Sequence, residues 1–378
     1  MDLAFDEHQS ELGGIARQLF ASRCPPATVR ALEEDPAGFS RDLWEEMGRL
    51  DWIGLGQPES AGGSGGTVAD LAAIYVEMGR ALVPGPHLAS AVICGGALVA
   101  AGVGGAGGGD HGALTRAVLG GSQIVVPALS EPGTTYGPEA VKMAAEARGA
   151  GFRLEGVKLL VAFANSADRL LVTARTGPAV EDITLFLVDP AAAGVEVEAT
   201  PNVAGYPLFG VMFRSVDVGA DAVVGPVGGG WALLRPALER ATVLRCAEIV
   251  GAGERVLEMA VGYALQREQF GQPIGRFQAV QYLCTDIAIA THLTALLTRQ
   301  AAWRLDQGGP AGREVSMAKA YGSRAAQQIV HRGHEVHAGV AFMMEADMQL
   351  YTRRARHWEL DLGDARYHDE LIARSLEA

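Results

Sequence analysis

The residues best suited to chemistry stand in one short stretch, residues 266–277 (QREQFGQPIGRF), and in the Gln278 that follows. Arg267 can pair with a phosphate through its rigid fork of N–H donors. Phe270 offers a flat apolar face, and Gln278 an amide donor. The same residues also have a plain structural use: Arg267 as the cap of a helix end and Phe270 as core. Among the carboxylates, Glu239, Asp361 and Asp364 are residue types able to take a proton. A working base must come within about 3 Å of its proton, and aspartate has the shorter reach. His331, His334 and His337 form an HxxHxxH pattern. On a helix the first and third lie about 240° apart, so one face cannot hold all three. No carboxylate or cysteine completes a convincing set, and no metal site is expected. Arg353, Arg354 and Arg356 read as a solvated face or as interface ion pairs.

The elements that must position these residues follow from periodicity. Over residues 5–120 the pattern is mainly helical: Leu43, Met47, Leu50 and Ile53 recur at helical spacing, as do Leu71, Ile74, Tyr75 and Met78. Residues 58–66 (PESAGGSGG) form a loop by composition. The glycines of 104–109 read as a flexible connection; they lack the strand–loop–helix setting and the Lys-Ser/Thr of a phosphate loop. From Ser122 short β-type runs follow one another, at 124–129, 152–160, 169–174, 183–188, 195–199 and 211–218, separated by turn residues. After Gly228-Gly229-Gly230 the helical pattern returns, with Cys246, Ile249, Val250, Val256, Leu257 and Ala260 on one stripe. Pro273 and Gly275 interrupt it, and further helices are expected at 277–307 and 313–338. The expected architecture is an α-helical N-terminal domain (1–121), a β-barrel or sandwich domain (122–226) and a C-terminal helical bundle (227–378). The absence of βαβ units argues against a Rossmann fold.

Composition narrows the function. About half of the 378 residues are apolar and a fifth are charged, with a formal net charge of −13. No basic stripe marks a nucleic-acid surface. No run of about 18 uninterrupted apolar residues marks a membrane span. The opening residues carry Asp2, Asp6, Glu7 and Glu11, unlike a secretory signal. Cys24, Cys94, Cys246 and Cys284 are far apart and are read as reduced, mostly buried thiols of a cytoplasmic protein.

Four motifs, in order along nearly the whole chain, carry a family resemblance. Residues 55–66 (LGQPESAGGSGG) resemble the L-G-x-P-E-x-x-G-G-x-G loop of acyl-CoA dehydrogenases, and 129–133 (LSEPG) the start of their T-E-P-G-A-G-S-D segment. Residues 227–234 (VGGGWALL) resemble the G-x-G-W entry into the long helix of the bundle, and QREQFGQPIGRF the R-x-x-F-G-x-x-[IL]…Q stretch. The resemblance implies a helical N-terminal domain, a β-domain and a four-helix C-terminal bundle, with FAD at a dimer interface. It implies that a glutamate removes the α-proton of an acyl-CoA thioester while the β-hydride passes to flavin N5. An electron-transfer flavoprotein or similar acceptor then takes the electrons. It places Arg267, Gln269, Phe270, Ile274, Gln278, Glu335 and Gly339 at the cofactor, the first five reaching into the neighbouring subunit's FAD.

The departures from that pattern are not scattered. The two places where the family keeps its base hold Ala241, on the long helix, and Leu362, within Asp361-Leu362-Gly363-Asp364. Glu239 comes two residues early, a turn of about 200° on a helix. The W-[IV]-[TS]-N segment against the flavin ring reads Leu160-Val161-Ala162-Phe163, and after LSEPG the chain reads Thr134-Thr135-Tyr136-Gly137. In the Q-x-x-G-G-x-G stretch the glutamine has become Glu335, while Gly339 is kept. What the subunit would offer its own flavin and substrate is eroded; much of what it would offer across an interface is retained. This asymmetry is similar to one class of the family, the actinobacterial steroid side-chain acyl-CoA dehydrogenases, which form α2β2 heterotetramers from unlike chains. The chain resembles the subunit that completes the FAD site of a base-carrying partner. Two other readings stay open: a self-sufficient enzyme using Glu239, Asp361 or Asp364 as an unusual base, and a flavin-free structural subunit.

Overall fold

The structure is a computed structural model that describes residues 3–104, 111–133 and 136–377. Thr134, Thr135 and the glycines of 105–109 lie outside the described residues. Asp6 opens the first helix by a capping box: its carboxylate accepts from the Gln9 N–H at 2.8 Å while the Gln9 amide oxygen accepts from the Asp6 N–H at 3.2 Å. That helix is α1 (Glu7–Arg23), followed by α2 (Pro26–Glu34) and α3 (Arg41–Arg49). Thr67 and Asp70 make a second capping box for α4 (Val68–Ala81), which is almost wholly buried. A π-helical stretch, Leu88–Cys94, runs into α5 (Gly95–Gly104), and α6 (Gly112–Leu119) completes the N-terminal helices.

Eight strands follow: β1 (Val125–Ala128), β2 (Ala144–Arg148), β3 (Gly151–Ala162), β4 (Arg169–Arg175), β5 (Ile183–Val188), β6 (Val195–Ala199), β7 (Leu208–Val218) and β8 (Val223–Val224). They form one sheet in the order β6-β7-β3-β2-β4-β5-β8, with β1 beside β4. The apolar runs of β4 and β5 are buried on both faces, which is why they lack polar alternation. Two strands are absent from the sequence reading. In β2 the run AAEAR has no β-branched or aromatic residue, and β8 is two residues long; pairing partners supply what local propensity lacks. The register of β3 against β7 slips between Lys158 and Val161. The slip puts Leu160 in left-handed backbone (φ 55°) and leaves it 56% exposed.

The C-terminal half is helical: α7 (Gly230–Gln266), α8 (Gln278–Asp306), α9 (Gly312–His337), α10 (Met348–Leu360) and α11 (Ala365–Glu377). A two-stranded hairpin, β9 (Glu268–Gln269) and β10 (Gln272–Pro273), links α7 to α8. The expectation of no membrane-length segment needs one correction. By length and composition α8 could cross a bilayer, with a mean hydropathy of 1.3; residues such as Gln281, Thr285 and His292 hide this from a search for an unbroken apolar run. It packs against α7 and α9 as a bundle helix. Its outer face, with Tyr282, Ile289, Leu293 and Trp303, is exposed.

The N-terminal helices are bound closely to the bundle. Arg17 grips Glu77 through two hydrogen bonds of 3.0 and 2.9 Å. Arg80 pairs with Glu254 and Glu258 of α7, and its carbonyl accepts from the Tyr351 hydroxyl at 2.6 Å. Where α4 crosses α7 the backbones nearly touch: a β-carbon on Gly251 would lie 1.6 Å from the Val76 carbonyl oxygen.

Candidate functional site

The backbone explains the posture of the retained motif. α7 ends when the Arg267 N–H bonds to the Tyr263 carbonyl at 2.8 Å. The chain then reverses through Phe270 and Gly271, both left-handed (φ 55° and 78°), as a two-residue hairpin requires. A bulky residue in that conformation is unusual and carries strain. Phe270 is also 91% exposed, its ring edge-on to that of Phe277 at 6.0 Å. It is not core. Arg267 is exposed and makes no side-chain hydrogen bond or ion pair among the described residues, so it does not cap α7 through its guanidinium. Gln269 is exposed and donates to the Glu268 carbonyl. Ile274 is half-buried, its N–H bonded to the Arg267 carbonyl at 2.8 Å, and Gln278 is exposed at the start of α8. The motif thus forms a protruding finger.

Glu335 and Gly339 lie at the far end of α9. Glu335 is held by Arg332 at 2.7 Å, which neutralises the charge that suits a phosphate poorly. Gly339 is exposed, with open space where a β-carbon would stand. Beside it Val340, Phe342, Met343 and Met344 are exposed. The three histidines of α9 have separate tasks. His334 meets the Thr352 hydroxyl at 2.6 Å, His337 stacks on Tyr263, and His331 lies 3.7 Å from Glu335. Among the described residues no group of three or more His, Cys, Asp or Glu could hold a metal.

At the two base positions the side chains are apolar. Ala241 is fully buried on α7. Leu362 is left-handed (φ 60°), and its carbonyl accepts from His368 Nε2 at 3.0 Å. Neither neighbouring aspartate is a free solvated charge. Asp361 accepts from Arg245 Nη2 and Nε at 2.7 and 3.0 Å. Burial works to raise its carboxyl, but Arg245 and His357 hold it below the usual carboxylate range. Asp364 caps α11, accepting from the Tyr367 N–H at 2.8 Å. Glu239 is partly buried, which raises its carboxyl, and it pairs with Arg235 at 3.3 Å. The basic cluster also divides: Arg353 grips Glu33 and Arg356 pairs with Glu359, but Arg354 is buried, its guanidinium 4.9 Å over the Tyr206 ring.

Sequence reasoning missed the buried polar group around Asp361. Arg245 pairs with Glu248 as well as Asp361, and His357 stacks on Tyr206 at 4.5 Å. The available signal was two charged residues, Arg245 and Glu248, set among Cys246, Ile249 and Val250 on the apolar stripe of α7. Also missed was Lys319, buried in α9. Its ammonium donates to Ser323 Oγ and to the carbonyls of Trp358 and Gly363 at 2.7, 3.0 and 2.8 Å. Burial lowers it to about 8. A second buried lysine, Lys158 on β3, pairs with Glu131 at 2.6 Å, and the Glu131 carboxylate also accepts from the Met143 N–H.

Tested against FAD, the residues divide. Arg267, Phe270, Gln278 and Gly339 stand exposed, and nothing in the chain blocks the space beside Gly339. The positions that would face a flavin ring from this chain do not fit: Leu160 bulges outward, Ala162 has no hydroxyl, and Phe163 is turned into the core against Phe39 and Tyr206.

Comparison with known proteins agrees with the layout. Residues 6–104, 127–215 and 228–377 match the N-terminal, middle and C-terminal domains of acyl-CoA dehydrogenase, respectively. The acyl-CoA dehydrogenase FadE27 of Mycobacterium tuberculosis is 31% identical, covering 100% of this chain and 99% of that protein. Among solved structures, the ChsE4-ChsE5 complex from Mycobacterium tuberculosis aligns with a TM-score of 0.88 at 30% identity, over 100% of this chain and 99% of that one. A variant of the Tcur3481-Tcur3483 steroid ACAD aligns with a TM-score of 0.85 at 28% identity, over 98% and 99%. A more distant match, sharing the fold alone, is an FAD complex at 23% identity. With all three domains matched in order over most of its length, the chain belongs to the acyl-CoA dehydrogenase family of FAD-dependent oxidoreductases.

Proposed function

We propose that this chain is one subunit of a heteromeric, cytoplasmic acyl-CoA dehydrogenase, an α2β2 assembly, and that it completes the FAD site of a base-carrying partner. The observation that carries this reading is the contrast between the two halves of its site. The Arg267–Phe270 finger is exposed and unpaired, while the base positions hold Ala241 and Leu362. Arg267 would pair with a phosphate of FAD bound mainly by the partner, and Phe270 would lie against the dinucleotide. FAD, when bound, supplies the hydride acceptor. The α-proton would be taken by the partner's glutamate. The proposed substrate is a bulky acyl-CoA, a steroid side-chain CoA ester, by analogy with the heteromeric relatives. An electron-transfer flavoprotein would be the acceptor.

A self-sufficient enzyme is less well supported. Asp361 is held by the Arg245 guanidinium, which keeps its carboxyl below the usual range and so weakens it as a base. Glu239 lies about 200° around α7 from Ala241. The test is flavin stoichiometry. This chain purified alone is expected to be colourless or insoluble, and a complex with a base-carrying acyl-CoA dehydrogenase chain to hold one FAD per two unlike chains. A yellow homo-oligomer with one FAD per chain that is reduced by acyl-CoA overturns the proposal.

A further inference from the structure

The finger that carries Arg267 and Phe270 is a hairpin of two residues a side. A hairpin so short is marginal in water on its own. Its tip keeps Phe270 in left-handed backbone, a strain that persists only where the surroundings impose it. The contacts that fix the finger therefore have to come from outside the hairpin.

The three neighbouring helices supply them. On α9, His337 stacks on Tyr263 at 4.7 Å, and the Tyr263 carbonyl accepts the Arg267 N–H. On α7, the Ala264 carbonyl meets Gly275: a β-carbon on Gly275 would lie 3.1 Å from that oxygen, closer than β-carbons ordinarily come. On α8, the Gln281 amide reaches back and donates to the Gly275 carbonyl at 2.9 Å. One residue nearer the finger, the Ile274 N–H donates to the Arg267 carbonyl at 2.8 Å. Ile274 and Gly275 belong to one tight turn, Ile274–Arg276, so Gln281 is tied to the Arg267 backbone through two hydrogen bonds and a single turn. Gln281 is exposed, at a surface position where a glutamine needs no fixed partner. Its bond to Gly275 thus serves the turn and not the core of the bundle.

We infer that Gln281 and Gly275 are positioning residues for Arg267. They hold its backbone in place before the cofactor arrives, so that binding FAD has less to order. Neither touches FAD. The inference rests on the partner-subunit reading above, yet the two can fail separately. The flavin-stripped heteromeric complex is titrated with FAD and followed by flavin fluorescence, as a double-mutant cycle. Gln281→Met keeps the length of the side chain and removes the donor. Alone it is expected to weaken FAD binding about 2- to 10-fold, the worth of one hydrogen bond. Added to Arg267→Gln it should change binding by less than about twofold, because the brace then has no guanidinium to position. The KM for acyl-CoA at saturating FAD should stay within about twofold, which a general loosening of the bundle would not spare. Losses that multiply in the double variant overturn the inference, since Gln281 would then meet FAD itself. So does a KM that rises along with the FAD constant. Unchanged FAD binding in Gln281→Met overturns the brace and leaves the subunit reading standing. Unchanged FAD binding in Arg267→Gln overturns that reading, and the brace with it. Should Gln281→Met fail to assemble, Gly275→Ala takes its place in the cycle with the same expectations.

Discussion

At the scale of single residues, exposure separates what Arg267 and Arg245 do. Both are arginines on or beside α7, but Arg245 has its donors satisfied inside the chain and Arg267 has none satisfied by a side chain. A charge-assisted hydrogen bond contributes about 1.5–3 kcal/mol, so removing Arg267 has a predictable consequence if it meets a phosphate of FAD. Arg267→Gln in the heteromeric complex is expected to weaken FAD retention roughly 10- to 100-fold, read as flavin absorbance after gel filtration. The unfolding midpoint of the FAD-stripped complex should not move, since the side chain makes no hydrogen bond or ion pair among the described residues. Unchanged flavin content would favour the flavin-free structural subunit instead. Arg267→Lys should fall between the two, keeping the charge and losing the planar fork. This arginine was legible in the sequence because a compact motif surrounds it. The Arg245–Asp361 pair was not, because 116 residues separate its members and no local pattern joins them.

At the scale of elements, helix α7 is the part on which everything else is aligned. Its apolar stripe was readable from Cys246 to Ala260, as was the order of helices, strands and bundle. Its closest neighbour was not readable, because backbone approach leaves no periodic mark. The crossing with α4 depends on two glycines: a β-carbon on Gly79 would stand 2.0 Å from the Glu248 carbonyl oxygen, and one on Gly251 1.6 Å from that of Val76. Neither carbonyl can retreat without breaking a helical hydrogen bond. Gly251→Ala is therefore expected to destabilise the chain by about 3 kcal/mol, or to prevent folding, although alanine is the better helix former in isolation. A thermal midpoint equal to or above wild type would mean that the two helices can part at little cost. The same contact carries Glu248, which pairs with the buried Arg245. β2 fails to be legible for the opposite reason: its composition is neutral, and only its partners β3 and β4 make it a strand.

At the scale of the whole molecule, the chain leaves apolar side chains where a monomer would cover them. The α8 face, the Phe270 finger, Val340 and residues 342–344 are exposed, a set of apolar surfaces of the kind that marks interaction sites. The interior is arranged differently, around three histidines kept neutral. Burial lowers His87 to about 4, His357 to about 3 and His368 to about 4. The hydrogen bonds of His87 fit that state: Nε2–H donates to the Trp52 carbonyl at 3.0 Å, leaving Nδ1 to accept from the Tyr75 hydroxyl at 2.6 Å. A histidine whose folded value lies below its unfolded value of about 6.5 stabilises the fold fully above that pH. The stabilisation is lost as pH falls from there toward the folded value, because the unfolded chain binds a proton that the folded chain refuses. Each histidine accounts for up to about 1.4 kcal/mol per pH unit in that window, so the three together approach about 4. Glu239 and Asp306, which burial raises, act in the opposite sense, but only as pH nears the carboxylate range. Lys158 and Lys319, which burial lowers to about 8, add a fall from alkaline pH that is nearly complete by pH 7, so the unfolding midpoint in denaturant is expected to vary least near pH 7 and to fall steeply between pH 6 and 4.5. His357→Phe would remove one proton from that slope while retaining the stacking on Tyr206. A midpoint that stays level down to pH 5 would mean that these histidines protonate in place, and that the surroundings of His357, beside Tyr206 and Asp361, are open to water.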